Sequence, residues 1–219
     1  MKYYRQNWAF INLPIGIVAV LAAIFAWDGL GATRAILLLQ FAMVIFHQFE
    51  EYARPGGEQW IMNRVLQPRD LSIADRFPLN QQSAMVTNVF LYAPFYLLAA
   101  ILNWTWLGLT IAFMGFGQIL IHGVITNIRL KWFYNPGMLT AIFGFGGLGS
   151  WYIWYVLHYD IATGLDWLFG VIGLPVAMAL IIGLPTYKWM ADRNSPYPFS
   201  RAEQERFNAR WFLARLGQN

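Results

Sequence analysis

The chain has 219 residues, 58% of them hydrophobic and 12% charged, with a mean hydropathy of +0.43, more apolar than a soluble domain presents to water. The absence of cysteine excludes disulfides, thiolate-bound zinc and iron–sulfur clusters, and leaves histidine and carboxylate as the metal-ligating side chains. A net charge of +4, spread between apolar runs rather than along one polar face, argues against a nucleic-acid partner.

Six apolar segments are each long enough to cross about 30 Å of hydrocarbon, which takes roughly twenty helical residues. They run from Trp8 to Trp27, Ala35 to Tyr52, Ser83 to Leu102, Leu107 to Ile128, Met138 to Leu157 and Trp167 to Tyr187. The first is too long and lacks the cleavage site of a signal peptide, so it is read as a span. The expected fold is therefore all-α: a polytopic transmembrane helical bundle of about six spans over 1–194, then an amphipathic tail over 195–219. Eleven Trp, eleven Tyr and seventeen Phe suit a bundle whose rings occupy both bilayer interfaces.

Between these segments the basic residues sort by side. Lys2 and Arg5, then Arg54, Arg64, Arg69 and Arg76, then Arg129 and Lys131, then Lys188 and the tail arginines fall on one side, and Arg34 alone on the other. By the positive-inside rule both termini are cytoplasmic, and the expected location is a bacterial inner (plasma) membrane. The Arg54–Pro78 loop carries Trp60, Ile61, Val65 and Leu66, a pattern for a short helix covering the cytoplasmic face. In the tail, Ser200 and Glu203 have capping-box spacing, and Phe207, Arg210, Trp211 and Arg215 point to an amphipathic helix on the anionic leaflet. The glycine-rich run Gly144–Gly149 has no strand before it, which excludes a nucleotide loop and favours close helix packing.

Ionisable groups inside apolar spans cost a few kcal/mol or more at the bilayer centre and mark functional sites. The second segment ends Phe46-His47-Gln48-Phe49-Glu50-Glu51-Tyr52, which puts His47, Glu50 and Glu51 on neighbouring positions of one helical face. The fourth segment supplies His122, with Gln118 one turn before it and Asn127 a little over one turn after. His47 lies seven residues before Arg54 and His122 seven before Arg129, about 10 Å of helix in each case, so the two imidazoles are level, and Asn88 on the third segment passes the same depth. His158, beside Tyr159 and Asp160, falls at the other surface and is given no chemistry.

Two imidazoles and two carboxylates are the composition of a zinc or non-haem iron site. His-x-x-Glu-Glu also resembles the inverted zinc-peptidase pattern with its second histidine replaced by Glu. On that analogy His47, Glu51 and His122 hold a divalent metal, zinc with iron as the alternative, and Glu50 is the catalytic general base. Asn88 or Asn127 would stabilise an oxyanion, with Gln118 and Tyr134 supporting the site. The function expected is a membrane-embedded metal-dependent hydrolase acting on a lipid or other amphiphile at the cytoplasmic side, with membrane lipids around it. An iron-dependent oxidoreductase or hydroxylase on an acyl or isoprenoid substrate uses the same ligands, and a small proton- or ion-coupled transporter is the non-enzyme alternative.

These residues resemble the HXXEE family of membrane proteins, named for the motif that stands here as His47-Gln48-Phe49-Glu50-Glu51. The resemblance extends to a second histidine, His122, and to a Tyr-x-Pro-Gly motif at Tyr134-Asn135-Pro136-Gly137. It implies a site of a recurring type without naming a substrate. Pro136 and Gly137 read as a turn that ends one helix and reverses the chain. Tyr134 would stand about 18 Å along the helix from His122 were that helix unbroken.

Overall fold

The structure is a computed structural model in which residues 1–207 are described. Six long helices carry it: α1 (Lys2–Phe25), α2 (Ala32–Tyr52), α3 (Gln81–Leu102), α4 (Thr105–Leu130), α5 (138–158) and α6 (Gly164–Trp189). No strand occurs among the described residues. Five of the six are long and apolar enough to cross a membrane. The exception is α5, whose four glycines between 144 and 149 and the Trp and Tyr that follow dilute its hydropathy.

α2 is the hub. It packs against α1, α3 and α5, and its Ile36, Leu37, Ala42 and Val44 are fully buried. α1 and α6 are peripheral and present long apolar faces outward, such as Val18, Ile24, Leu165 and Val171. Glycine sets how closely the helices approach, as expected where apolar attraction alone cannot hold helices together. A Cβ on Gly144 would strike Met43 of α2, one on Gly146 would lie 3.0 Å from Ile119, and one on Gly149 3.3 Å from Phe116. The glycine run of α5 thus serves helix packing. Gly170 and Gly173 play the same part between α6 and α4, against Leu109 and Thr110.

α4 and α6 pack together along Thr105–Gln118 and Gly164–Ala177 and diverge beyond those stretches. Where they diverge, both change winding. Ile119–Ile125 of α4 and Met178–Gly183 of α6 are wound as wider π turns, as are Val86–Tyr92 of α3 and Thr140–Phe145 of α5. Such turns concentrate at functional sites because they re-aim side chains that regular winding would direct elsewhere.

The basic residues gather at one end, as their order along the chain requires. Arg5 bonds Gln82 and stacks on Tyr197, Arg69 and Arg129 bond backbone carbonyls of Tyr187, Val65 and Leu66, Arg193 pairs with Asp70, and Arg206 bonds the Tyr52 carbonyl. Arg34 bonds the Ala100 carbonyl at the opposite end. The α2–α3 loop closes the basic end with a short helix, Glu58–Ile61, running on into Met62–Leu66. Its Trp60 and Ile61 are buried against Leu130. The chain after α6 crosses the same end, where Tyr197 and Phe199 bond backbone groups of Gln81 and Asp75. Ser200 and Glu203 form the capping box of Arg201–Gln204. The amphipathic character expected from Arg210, Trp211 and Arg215 lies outside the described residues.

Gly173→Leu should force α4 and α6 apart and cost about 1–3 kcal/mol. A lowered unfolding midpoint in detergent reports it, and Gly147→Ala, whose added Cβ meets nothing, leaves the midpoint in place.

Candidate metal centre

The level placement of His47 and His122 is realised at the basic end of the bundle. Glu51 Oε1 lies 3.3 Å from His47 Nε2 and 3.3 Å from His122 Nε2. The two rings stand edge to face, 4.9 Å between centroids, and both histidines are buried. The three ligand atoms lie within 4.8 Å of one another.

Hydrogen bonding around the rings determines which nitrogen faces inward. Asn127 Nδ2 donates to the carbonyls of Gly123 and Phe133, so its Oδ1 accepts from Asn135 Nδ2 at 2.7 Å. Asn135 Nδ2 also donates to the His122 carbonyl, and Asn135 Oδ1 is left facing His122 Nδ1 at 2.7 Å. An amide oxygen only accepts, so His122 Nδ1 carries the proton. For His47 the partner is Thr140 Oγ1, 2.9 Å from Nδ1. That hydroxyl donates to Glu50 Oε2 at 2.5 Å and so accepts from His47 Nδ1–H. In their neutral forms both imidazoles turn a bare Nε2 lone pair toward the Glu51 carboxylate. His47 Nε2 is buried and makes no hydrogen bond.

Two imidazole Nε2 atoms and a carboxylate oxygen converging out of water need positive charge among them, supplied by a proton on an imidazole or by a metal cation. The donor set suits a metal. Neutral imidazole nitrogen and carboxylate oxygen are ligands for zinc and iron, and ligating histidines are oriented by a hydrogen bond at the other ring nitrogen. Ligands roughly 2.0–2.1 Å from a tetrahedral zinc stand roughly 3.3–3.4 Å apart; both His–Glu separations match that spacing, and the imidazole pair lies within 4.8 Å.

Glu50 has different partners. Its oxygens accept from Tyr134 Oη at 3.1 Å, Leu139 N at 3.2 Å, Thr140 N at 2.9 Å and Thr140 Oγ1. It caps the first turn of α5 from outside, where unpaired N–H groups attract a carboxylate. A general base needs a free lone pair aimed at water, and here the carboxylate instead holds Thr140 against His47. Tyr134 reaches Glu50 because α4 ends at Leu130 and Lys131 adopts left-handed backbone, φ 51°. The chain then doubles back, so the distance along an unbroken helix does not apply. Burial and the Glu50 carboxylate push the Tyr134 phenol above its ordinary range, so it stays a donor. The same reversal puts Gly137, at φ 93°, against both rings. A Cβ there would lie 2.7 Å from His122 Cε1 and 2.9 Å from His47 Cε1.

A cavity of about 400 Å³ opens on the site, with Glu51, His122, Gln118 and Asn88 in its wall. Gln118 donates to Tyr92 Oη at 3.0 Å, and one Asn88 Nδ2–H donates to the Ala84 carbonyl. Asn127 stands behind His122, its amide N–H groups already used, so it supports Asn135 and is not free to meet an oxyanion. His158 is stacked on Trp154 and takes no part. Three site residues escaped the sequence reading: Asn135, Thr140 and Glu58. Asn135 stands inside the Tyr-Asn-Pro-Gly motif, which was its one visible signal; Thr140 and Glu58 stand in contexts that alone suggest only a helix start and a loop.

The sequence model of the family described as "Protein of unknown function with HXXEE motif" matches residues 38–152, more than half of the chain, and the chain belongs to that family. No curated protein and no solved structure matches it.

The hydrogen-bond network predicts that His47 and His122 hold the Nδ1–H tautomer when neutral. Nitrogen-15 chemical shifts of histidine-labelled protein in detergent at alkaline pH should show two such rings, and Nε2–H shifts for both would overturn the assignment.

Proposed function

We propose that this HXXEE-family chain is a membrane-embedded metal-dependent hydrolase acting on a lipid or other amphiphile at the cytoplasmic side of the bilayer, with α5 as the sixth span. The observation that carries it is the meeting of two imidazole Nε2 atoms with one carboxylate oxygen in a buried pocket. Zinc is the metal this set suits, with His47, Glu51 and His122 as ligands, and bound there it supplies Lewis-acid polarisation of water or of a substrate carbonyl. Thr140 and Asn135 orient the two rings, and Glu50 orients Thr140.

The substrate class follows from the cavity's walls. Its wall carries Gln118, Thr87 and Thr186 together with Ile121 and Ile125 of α4 and Met178 and Ile182 of α6. A wall that mixes polar groups with apolar side chains from two helices suits a molecule with a reactive polar group and a hydrocarbon chain. The basic end surrounds the headgroup level and fits the positive-inside orientation.

Wild-type protein purified in detergent should carry about one zinc per chain by mass spectrometry, and His47→Ala/His122→Ala should carry none. Equal, negligible metal in both would end the ligand assignment, and iron with O₂-dependent turnover would replace hydrolysis by oxidative chemistry. Asn135→Leu, which removes the hydrogen bond behind His122, should weaken zinc affinity about 10–100-fold. Incubation with a membrane lipid extract, followed by mass spectrometry, should show release of a fatty acid or headgroup by the wild type and none by the double variant.

A further inference from the structure

Glu58 is the remaining carboxylate in the cavity. It opens the short helix of the α2–α3 loop, is 4% exposed, and its Oε2 is buried without a hydrogen-bond partner. The loop aims it inward. Gly56 and Gly57 take left-handed backbone at φ 73° and 108° just before it, and Gly56 N bonds the Glu50 carbonyl at 3.0 Å. Gln59, the next residue, bonds the Glu203 carbonyl at 2.5 Å. Trp60 and Ile61 bury against the end of α4. Glu58 therefore lines the same cavity as Glu51 and His122.

The titratable groups that line the cavity with it are Glu51 and Tyr52 of α2, Tyr92 of α3, His122 and Arg129 of α4, and Tyr187 of α6. None of the ion pairs among the described residues includes Glu58. A carboxylate taken out of water without a cation or hydrogen bonds is strongly disfavoured and keeps its proton instead. Burial accordingly pushes the Glu58 carboxyl up, to about 8. A divalent cation at the triad reverses the balance, because its field favours the ionised form.

We infer that Glu58, not Glu50, is the catalytic acid–base of the site, because its buried Oε2 has no hydrogen-bond partner and it lines the cavity that Glu51 and His122 share. The inference rests on the hydrolase reading. For an ester, the oxygen of water bonds to the carbonyl carbon as its proton passes to the Glu58 carboxylate. The bond to the leaving alcohol then breaks as Glu58 delivers that proton to the departing oxygen. One water is consumed, and the carboxylate is restored.

Infrared difference spectroscopy tests this on the full-length protein in detergent. Metal-free wild type below the carboxyl's midpoint should show the C=O stretch of a buried protonated carboxyl. Zinc should abolish it, Glu58→Gln should lack it from the start, and Glu50→Gln should keep it. Zinc titration should give Glu58→Gln the wild-type stoichiometry. With any ester lipid that the wild type hydrolyses, Glu58→Gln should lower kcat about 10²–10⁴-fold and leave KM unchanged. A band that survives in Glu58→Gln, or a Glu58→Gln protein that no longer binds zinc, overturns the inference while leaving the metal site standing. Zinc binding by neither protein removes the hydrolase reading and the inference together. The zinc-induced loss in wild type needs no variant, and Glu58→Asp, which keeps the carboxyl and should shift the band, serves should Glu58→Gln fail to fold.

Discussion

One carboxylate oxygen shared by two imidazole nitrogens is the constraint on which the basic end of this bundle depends. Glu51 Oε1 cannot lie 3.3 Å from both Nε2 atoms, with both rings buried and both Nδ1 atoms used elsewhere, unless positive charge balances the group. Everything nearby serves to hold it. Thr140 and Asn135 set the ring faces, Gly137 leaves room between them, and Phe145 closes the side of His47 at 5.2 Å between ring centroids.

The two acids of the motif divide the work for a helical reason. Successive residues are turned by about 100° around a helix, so Glu50 and Glu51 straddle His47 and face different neighbours. Glu51 turns toward α4 and the cavity. Glu50 turns toward the start of α5, where free backbone N–H groups accept a carboxylate as an external cap. The adjacent acids thus take different parts, Glu51 between the two imidazoles and Glu50 as a clamp that acts on His47 through Thr140. Four hydrogen bonds engage the Glu50 oxygens and leave it no lone pair to turn toward water.

The cavity owes its shape to helix packing. Gly170 and Gly173 draw α6 against α4 over one half of their length, and the wide turns of Ile119–Ile125 and Met178–Gly183 coincide with their divergence over the other. Pro175 and Pro185, which lack a donor N–H, flank the wide stretch of α6. The cavity wall mixes the polar Thr87, Gln118 and Thr186 with the apolar Ile121, Ile125, Met178 and Ile182, and Glu58, Met62 and Leu66 of the covering segment line it as well.

Hydrophobic run length and charge order are local properties, and they determined the all-helical bundle, its helix limits to within about three residues except the start of α1, which lies at Lys2 rather than Trp8, and the gathering of basic residues at one end. The helical period likewise placed His47 beside Glu51, and equal spacing to Arg54 and Arg129 placed His122 level with them. Which way each side chain turns was decided only by tertiary contact. Lys131 breaks α4 and folds Tyr134, Asn135 and Gly137 back onto the rings, the α5 terminus claims Glu50, and the loop turns Glu58 inward. Those outcomes depend on partners 13 to 90 residues away in the chain, and no local pattern of residues encodes an orientation that a distant backbone N–H or hydroxyl imposes.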